Sequence, residues 1–442
     1  MAILNNEFFQ RLARMHVTGS LSLNYRNLGP REPGFETQIQ DEIYLGDMYF
    51  GIAGPFIDNV PFQLEFHMPT AGEGSIQLYQ ANVAYKGFEN FTFQIGKFLV
   101  PFGRYNELYK ANDFLTVTRP LLYASPDGLD LVVRENSPRP PLSVGYTDIG
   151  ARLSYYPPIQ EAYIPEELTF YVVNGLGENA NRQRTFENTD FLGIPGVPDS
   201  GVDIDFAHLN NNLAGSNNYK APGGRIVFAL GDVHLPWPVP EGVLDLTGMN
   251  LGLSGTGGQY DLEGHLNYQI YGADLTFDYL GFNFSGEYVY SSNKFLAPLD
   301  SGTAAGLQIV QPTQQLTDWE INKGYFIQVS APIIRRPRYG KRLTGILVFN
   351  QMFHRGPIQD LLLNQTLPSG TYPSVNAEQL FTPRATTQME KYTAAINYQL
   401  TDHFALKSEY SLWALSRASI RQPNSVGQDN IYQVGFAMVL GF

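Results

Sequence analysis

The sequence predicts an all-β fold: a single transmembrane antiparallel β-barrel of about sixteen strands, with long outer loops at one end and short periplasmic turns at the other. Three observations predict it. Large apolar side chains recur on every second residue, the period of a strand with one greasy face. Aromatic residues make up 13% of the chain (27 Tyr, 29 Phe, 3 Trp) and charged residues only 16%, yet no apolar run approaches the ~18 residues that a spanning helix needs. The links between alternating runs are long and short in turn, as in outer-membrane barrels. A soluble carbohydrate-binding β-protein shares the composition but has no reason to segregate its loop lengths.

The period is plainest at the chain's end, where Tyr432, Val434, Phe436, Met438, Leu440 and Phe442 alternate with Gln433, Gly435, Ala437, Val439 and Gly441. That face is expected to meet lipid, and the strand to close the barrel against the first one. Near the start, Val17, Gly19, Leu21, Leu23 and Tyr25 oppose His16, Thr18, Ser20, Ser22, Asn24 and Arg26. Phe62, Leu64, Phe66 and Met68 likewise oppose Gln63, Glu65 and His67. A hairpin signal joins two alternating runs at Leu280-Gly281, with Ala273, Leu275, Phe277, Phe282, Phe284, Tyr288 and Tyr290 outward. All such runs together give strands at 16–26, 42–54, 60–68, 75–87, 91–101, 142–157, 167–177 and 222–236. The second half gives 243–253, 268–279, 282–293, 322–335, 342–354, 389–399, 404–416 and 430–442.

The odd-numbered links are mostly long: 27–41, 102–141, 178–221, 294–321 and 355–388. The even ones are short, among them "PFIDN", "GFEN", "LG" and "TDH". All long loops therefore leave one end of the sheet, and an even strand count puts both termini at the other. Residues 1–15 form an N-terminal segment, possible as a short amphipathic helix through Asn5, Phe8, Phe9 and Leu12; residues 16–442 form the barrel. The start shows no secretory signal and reads as a processed terminus. Cysteine is absent, which removes disulfides and thiolate metal sites, and the formal charge of −13 argues against nucleic acid as a partner.

The stretch "LYQANVAYKGFENFTFQIGKFLVPFGRYNELYKANDFLTVTRP" resembles the phosphate-selective porin O and P family in the order of its strand, "YKGF" turn, "GKF..PFG" strand end and "ND" segment. "VVNGLG" (172–177), "YGADLTFDYLGFNFSGEYVY" (271–290) and "YTAAINYQLTDHFALKSEYSLW" (392–413) resemble that family's later hairpins. The resemblance implies a sixteen-stranded, usually trimeric porin of the bacterial outer membrane whose third outer loop folds inward to narrow the channel. The terminal Phe442 resembles the C-terminal signature of outer-membrane proteins; an aromatic residue in the interfacial girdle reads the same.

In a channel, function resides in interior charge and constriction. Link 102–141 stands where the inward loop would be. It carries Arg104, Lys110, Arg119, Arg134 and Arg139 against Glu107, Asp113, Asp127, Asp130 and Glu135, five of each sign. A phosphate-selective constriction needs clustered basic donors for an oxyanion shedding water, and this loop's charges cancel. On the wall, alternation turns Arg26, Arg152, Arg225 and Lys407 inward, and equally Glu65, Asp274, Asp278, Glu287 and Glu409. As plain lumen residues they would pair across neighbouring strands.

Other sites are less well signalled. The seven histidines show no ligand spacing. "GLSGTGG" (252–258) falls between expected strands and reads as a tight hairpin. Asp199, Asp203 and Asp205 on link 178–221 are candidate Ca²⁺ ligands against a solvated acidic loop. No catalytic constellation stands out, so no enzyme and no cofactor is expected. The reading is a weakly selective porin passing ions and small hydrophilic solutes. An anion- or phosphate-selective porin and a structural barrel sheathing a partner protein are the alternatives.

Overall fold

The structure, a computed structural model, describes residues 14–29, 41–68, 76–123, 145–158, 164–177, 210–211, 219–236, 243–259, 267–297, 316–336, 341–355, 384–419 and 422–442. The N-terminal segment up to residue 13 lies outside them, as do Arg134, Arg139, Asp199, Asp203 and Asp205.

Sixteen staves run in chain order. They are β1 (His16–Gly29), β2 (Asp41–Leu45 and Met48–Ile57), β3 (Val60–Met68), β4 (Gln77–Phe88), β5 (Phe91–Leu99), β6 (Thr147–Tyr155), β7 (Glu167–Val173) and β8 (Ala221–Pro236). There follow β9 (Val243–Gln259), β10 (Asn267–Tyr279), β11 (Phe282–Ala297), β12 (Leu316–Arg336), β13 (Lys341–Arg355), β14 (Arg384–Thr401), β15 (Phe404–Ser419) and β16 (Gln422–Gly441). Each pairs antiparallel with its neighbours, and β16 returns to β1 with Ser20 opposite Gly441 and Gly29 opposite Tyr432. Backbone bonds between Gly19 and Phe442, at 2.7 and 3.0 Å, extend this seam. The barrel is closed, so it has no exposed edge. No helix among the described residues is long and apolar enough to cross a membrane.

The sixteen expected strands correspond to these staves, with boundaries that differ. β12, β14 and β16 start earlier than alternation indicated, because polar residues continue a strand once backbone pairing is available. β2 is interrupted at Gly46-Asp47, where the Gly46 N–H still reaches the Ser22 carbonyl at 2.7 Å. A Cβ at Gly46 would collide with the Ser22 and Asn24 side chains. Such a bulge re-aims one side chain, and the Asp47 carboxylate meets His67 of β3 and Arg119.

The "GLSGTGG" segment is not a hairpin. Residues 252–258 lie within β9, paired with β8 on one side and β10 on the other. The glycine at 252 is a packing requirement: a Cβ there would fall 2.4 Å from an Asp274 oxygen and 2.6 Å from an Arg225 nitrogen. The hairpin at Leu280-Gly281 does form. Both residues are left-handed, with φ of 50° and 82°, the geometry of a two-residue turn between twisted strands.

The outer face is apolar. In β16, Tyr432, Phe436, Met438, Leu440 and Phe442 are exposed while Ile431, Gln433, Ala437 and Val439 are buried. Leu347 is 63% exposed and Phe170 64%. The buried set faces the lumen, where Phe98, Val100, Phe102, Phe114, Leu121, Leu122 and Tyr123 join wall residues in one apolar cluster. Five of those seven belong to the segment after Val100-Pro101, which places that segment inside the barrel.

Candidate functional site in the lumen

Residues 102–123 follow β5 inward and are held by wall side chains that alternate with the lipid-facing ones. The Gly103 N–H donates to Ser254 Oγ of β9 at 3.1 Å, and Arg104 Nη1 donates to Thr276 Oγ1 of β10 at 3.1 Å. A single turn of 3₁₀ helix, Tyr105–Glu107, comes next. The Glu287 carboxylate of β11 accepts the Tyr105 N–H at 3.2 Å and the Tyr123 hydroxyl on its other oxygen. Asn106 ties the loop to its own roots, donating to the Val100 carbonyl and accepting the Tyr146 N–H at 2.7 Å.

On the opposite wall Glu65 of β3 takes two loop groups, the Tyr109 hydroxyl at 2.5 Å and Lys110 Nζ at 2.7 Å. Tyr109 also packs edge-on or tilted against Tyr49 and Tyr79, with centroids 5.0 to 5.1 Å apart. Lys407 of β15 points its ammonium into a ring of loop carbonyls, bonding Ala111 at 2.6 Å, Thr116 at 3.2 Å and Phe114. Its neighbour on the same face, Glu409, accepts the Val117 and Thr118 N–H groups at 2.9 Å each. Lys391 of β14 lies 3.4 Å from Glu409, bonds Thr118 Oγ1, and stands 4.9 Å over the Trp413 ring. Asn350 of β13 accepts the Leu121 N–H at 3.2 Å, and Arg119 reaches Asp47 of β2 at 3.0 Å and the Tyr109 carbonyl at 2.8 Å.

The described part of the loop therefore crosses the barrel's waist and touches the wall from β9 round to β16 and again at β2 to β4. Of the expected lumen residues, Glu287, Lys407 and Glu409 are buried and bonded to the loop, and Glu409 also pairs across to Lys391 on the neighbouring β14. The reason is competition. A buried charge requires several partners, and the loop's unpaired backbone groups are the nearest ones available. Arg225 and Asp274 do pair with each other, at 2.6 and 3.0 Å, but across the intervening β9 at Gly252. Arg26 meets Glu42 and the Tyr44 ring on the adjacent strand. Arg152 and Glu167 stand 4.0 Å apart on β6 and β7, and Ser154 and Thr169 join them through bonds of 2.5 to 3.1 Å.

Burial pushes the carboxyls of Glu107 and Asp113 upward from the usual range. Arg225 and Arg152 oppose the shift at Glu107 and Glu167 reinforces it, while Lys110 opposes it at Asp113. Glu107 is exposed to the lumen yet deep within the barrel, so water reaches it while protein surrounds it.

Asp47, Glu167, Asn350 and Lys391 were not among the residues expected from the sequence. Lys391 shares its face with Thr393, Ala395 and Asn397, so alternation alone could have placed it. Asp47 carries no such signal, because a bulge aims it. No group of potential metal-ligating side chains occurs among the described residues.

No protein-family model matches the chain, and no curated protein matches it in sequence. Solved structures do match. OprB of Pseudomonas putida, in a high-pH structure, is 9% identical, with 99% of this chain and 96% of that one covered and a TM-score of 0.51. The anion-selective porin from Comamonas acidovorans is 10% identical over 97% of this chain and 99% of its own, with a TM-score of 0.48. The outer membrane channel DcaP of Acinetobacter baumannii is 11% identical over 97% of each chain, with a TM-score of 0.47. At 9% identity the likeness to OprB is one of fold, a closed, porin-like barrel.

Proposed function

We propose that this protein is a porin of the bacterial outer membrane, through which ions and small hydrophilic solutes diffuse passively with weak selectivity. The observation that carries the reading is a loop anchored across the waist of a closed barrel whose outer face suits lipid and whose inner face carries both signs of charge. A barrel of this kind needs no moving part or cofactor; its lumen geometry and charge do the sorting. Assembly as a homotrimer belongs to the same reading.

Two finer readings are less favoured. Phosphate selectivity calls for free basic groups at the constriction, whereas Lys110 and Arg119 are matched by Glu65 and Asp47. A barrel that sheathes a partner protein calls for a wide lumen, and the loop occupies its middle. Proteoliposome swelling tests the proposal. Small sugars and amino acids should enter at rates falling with size, and liposomes that swell no faster than protein-free ones would refute it.

A further inference from the structure

The described part of the loop, residues 102–123, does not engage all of the wall in the same way. Its bonds to β9–β16 and β2–β4 consume Lys110, Arg119, Lys391 and Lys407 in carboxylates or backbone carbonyls. On β6 and β7, by contrast, Arg152, Ser154, Glu167 and Thr169 satisfy one another. Arg152 and Glu167 keep 22% and 25% of their side chains accessible. Among the described loop residues Arg104, Glu107 and Asn112 are exposed, and Arg104 reaches Thr276 on β10. Glu107 feels Arg225, Glu167, Arg152 and Asp274, which places it opposite this wall.

Resting on the channel reading above, we infer that the solute path through the waist runs between loop residues 104–107 and the wall of β6–β8. Arg104, Glu107, Arg152 and Glu167 then set its preference among ions. Lys110 and Arg119, the other basic residues of its described part, hold the loop in place and contribute little to the path, because their charges are paired with Glu65 and Asp47. Two positive and two negative groups flank the path, so neither ion sign meets a uniform barrier.

Reversal potentials in a KCl gradient, read on the full chain and on Arg104→Gln, Arg152→Gln and Glu107→Gln, test this. Removing one charge about 10 Å from the path in water alters local ion concentration about two-fold. Because cations and anions respond oppositely, the two arginine variants should shift the permeability ratio towards cations by about four-fold, and Glu107→Gln towards anions by as much. Because the chain has no cysteine, Glu107→Cys adds a second readout on a clean background. A charged thiol reagent should reduce its current, while Thr118→Cys, buried against Glu409, should stay unmodified. Unshifted potentials together with unreactive Glu107→Cys, in channels that still conduct, would overturn the inference and leave the channel reading standing. An unaltered chain that conducts nothing would refute the channel reading itself.

Discussion

Glu409, fixed in the wall on β15, accepts the backbone N–H of Thr118 at 2.9 Å on one carboxylate oxygen and the Thr118 hydroxyl on the other. One wall side chain thereby satisfies a loop turn that has no strand of its own to pair with. It also neutralises Lys391, which is 2% exposed. Bonds to a charged group contribute about 1.5–3 kcal/mol each, and breaking a buried ion pair from one side costs about 3–5 kcal/mol.

Glu409→Gln should therefore lower stability by about 3 kcal/mol in urea refolding and make single-channel current noisier as residues 115–119 loosen. A quiet, equally stable variant would mean that the loop is held mainly by Glu65 and Glu287.

Gly252→Ala tests the packing of the buried Arg225–Asp274 pair. The new methyl meets both side chains, so one must rotate away from its partner. The loss should be about 1–3 kcal/mol, measured by the temperature at which the folded band is lost in gel electrophoresis. An unchanged temperature would show that the pair has room to shift.

The outer and inner faces can be compared within one hairpin. Leu275→Lys should cost up to about 2–4 kcal/mol if the residue lies near the bilayer midplane, and Ser285→Lys on the other face much less. Thr276, on the same inner face, is not a neutral comparison, because it is buried and holds Arg104. Reversal of the order in a refolding assay would put the register off by one.

Acid should change ion preference through Glu107. Burial raises its carboxyl above the usual range, so its charge is present at neutral pH and is lost on acidification before that of an ordinary glutamate. The charged groups facing it are Arg225, Glu167, Arg152 and Asp274. Cation permeability relative to anion should fall as pH drops through the Glu107 transition, and the step should disappear in Glu107→Gln. A step that persists in that variant would assign the titration to Asp113, whose carboxyl burial also raises.

The barrel was legible because a strand half in lipid and half in water must alternate, and because loops segregated by length betray a closed up-and-down sheet. Tyr432 to Phe442 illustrates this, each residue facing the side its parity predicts. The lumen was legible only as a list of inward residues. Parity states that Lys407 and Glu409 point in, but not that a loop nearly 300 positions earlier in the chain would meet them. Asp47 escaped altogether because a bulge breaks the parity rule, and the 252–258 glycines misled because glycine in a strand interior reads as a turn until a pair needing the space is known.

The central claim is that of a water-filled, weakly selective passage, and single-channel conductance in planar bilayers as a function of KCl concentration tests it most directly. Discrete steps whose conductance rises nearly linearly with salt are predicted, with a slight cation preference at low salt. That preference should fade as the screening length falls from ~30 Å at 0.01 M to ~3 Å at 1 M. Conductance that saturates at low salt with a strong anion preference, and chloride current blocked by added phosphate, would contradict it.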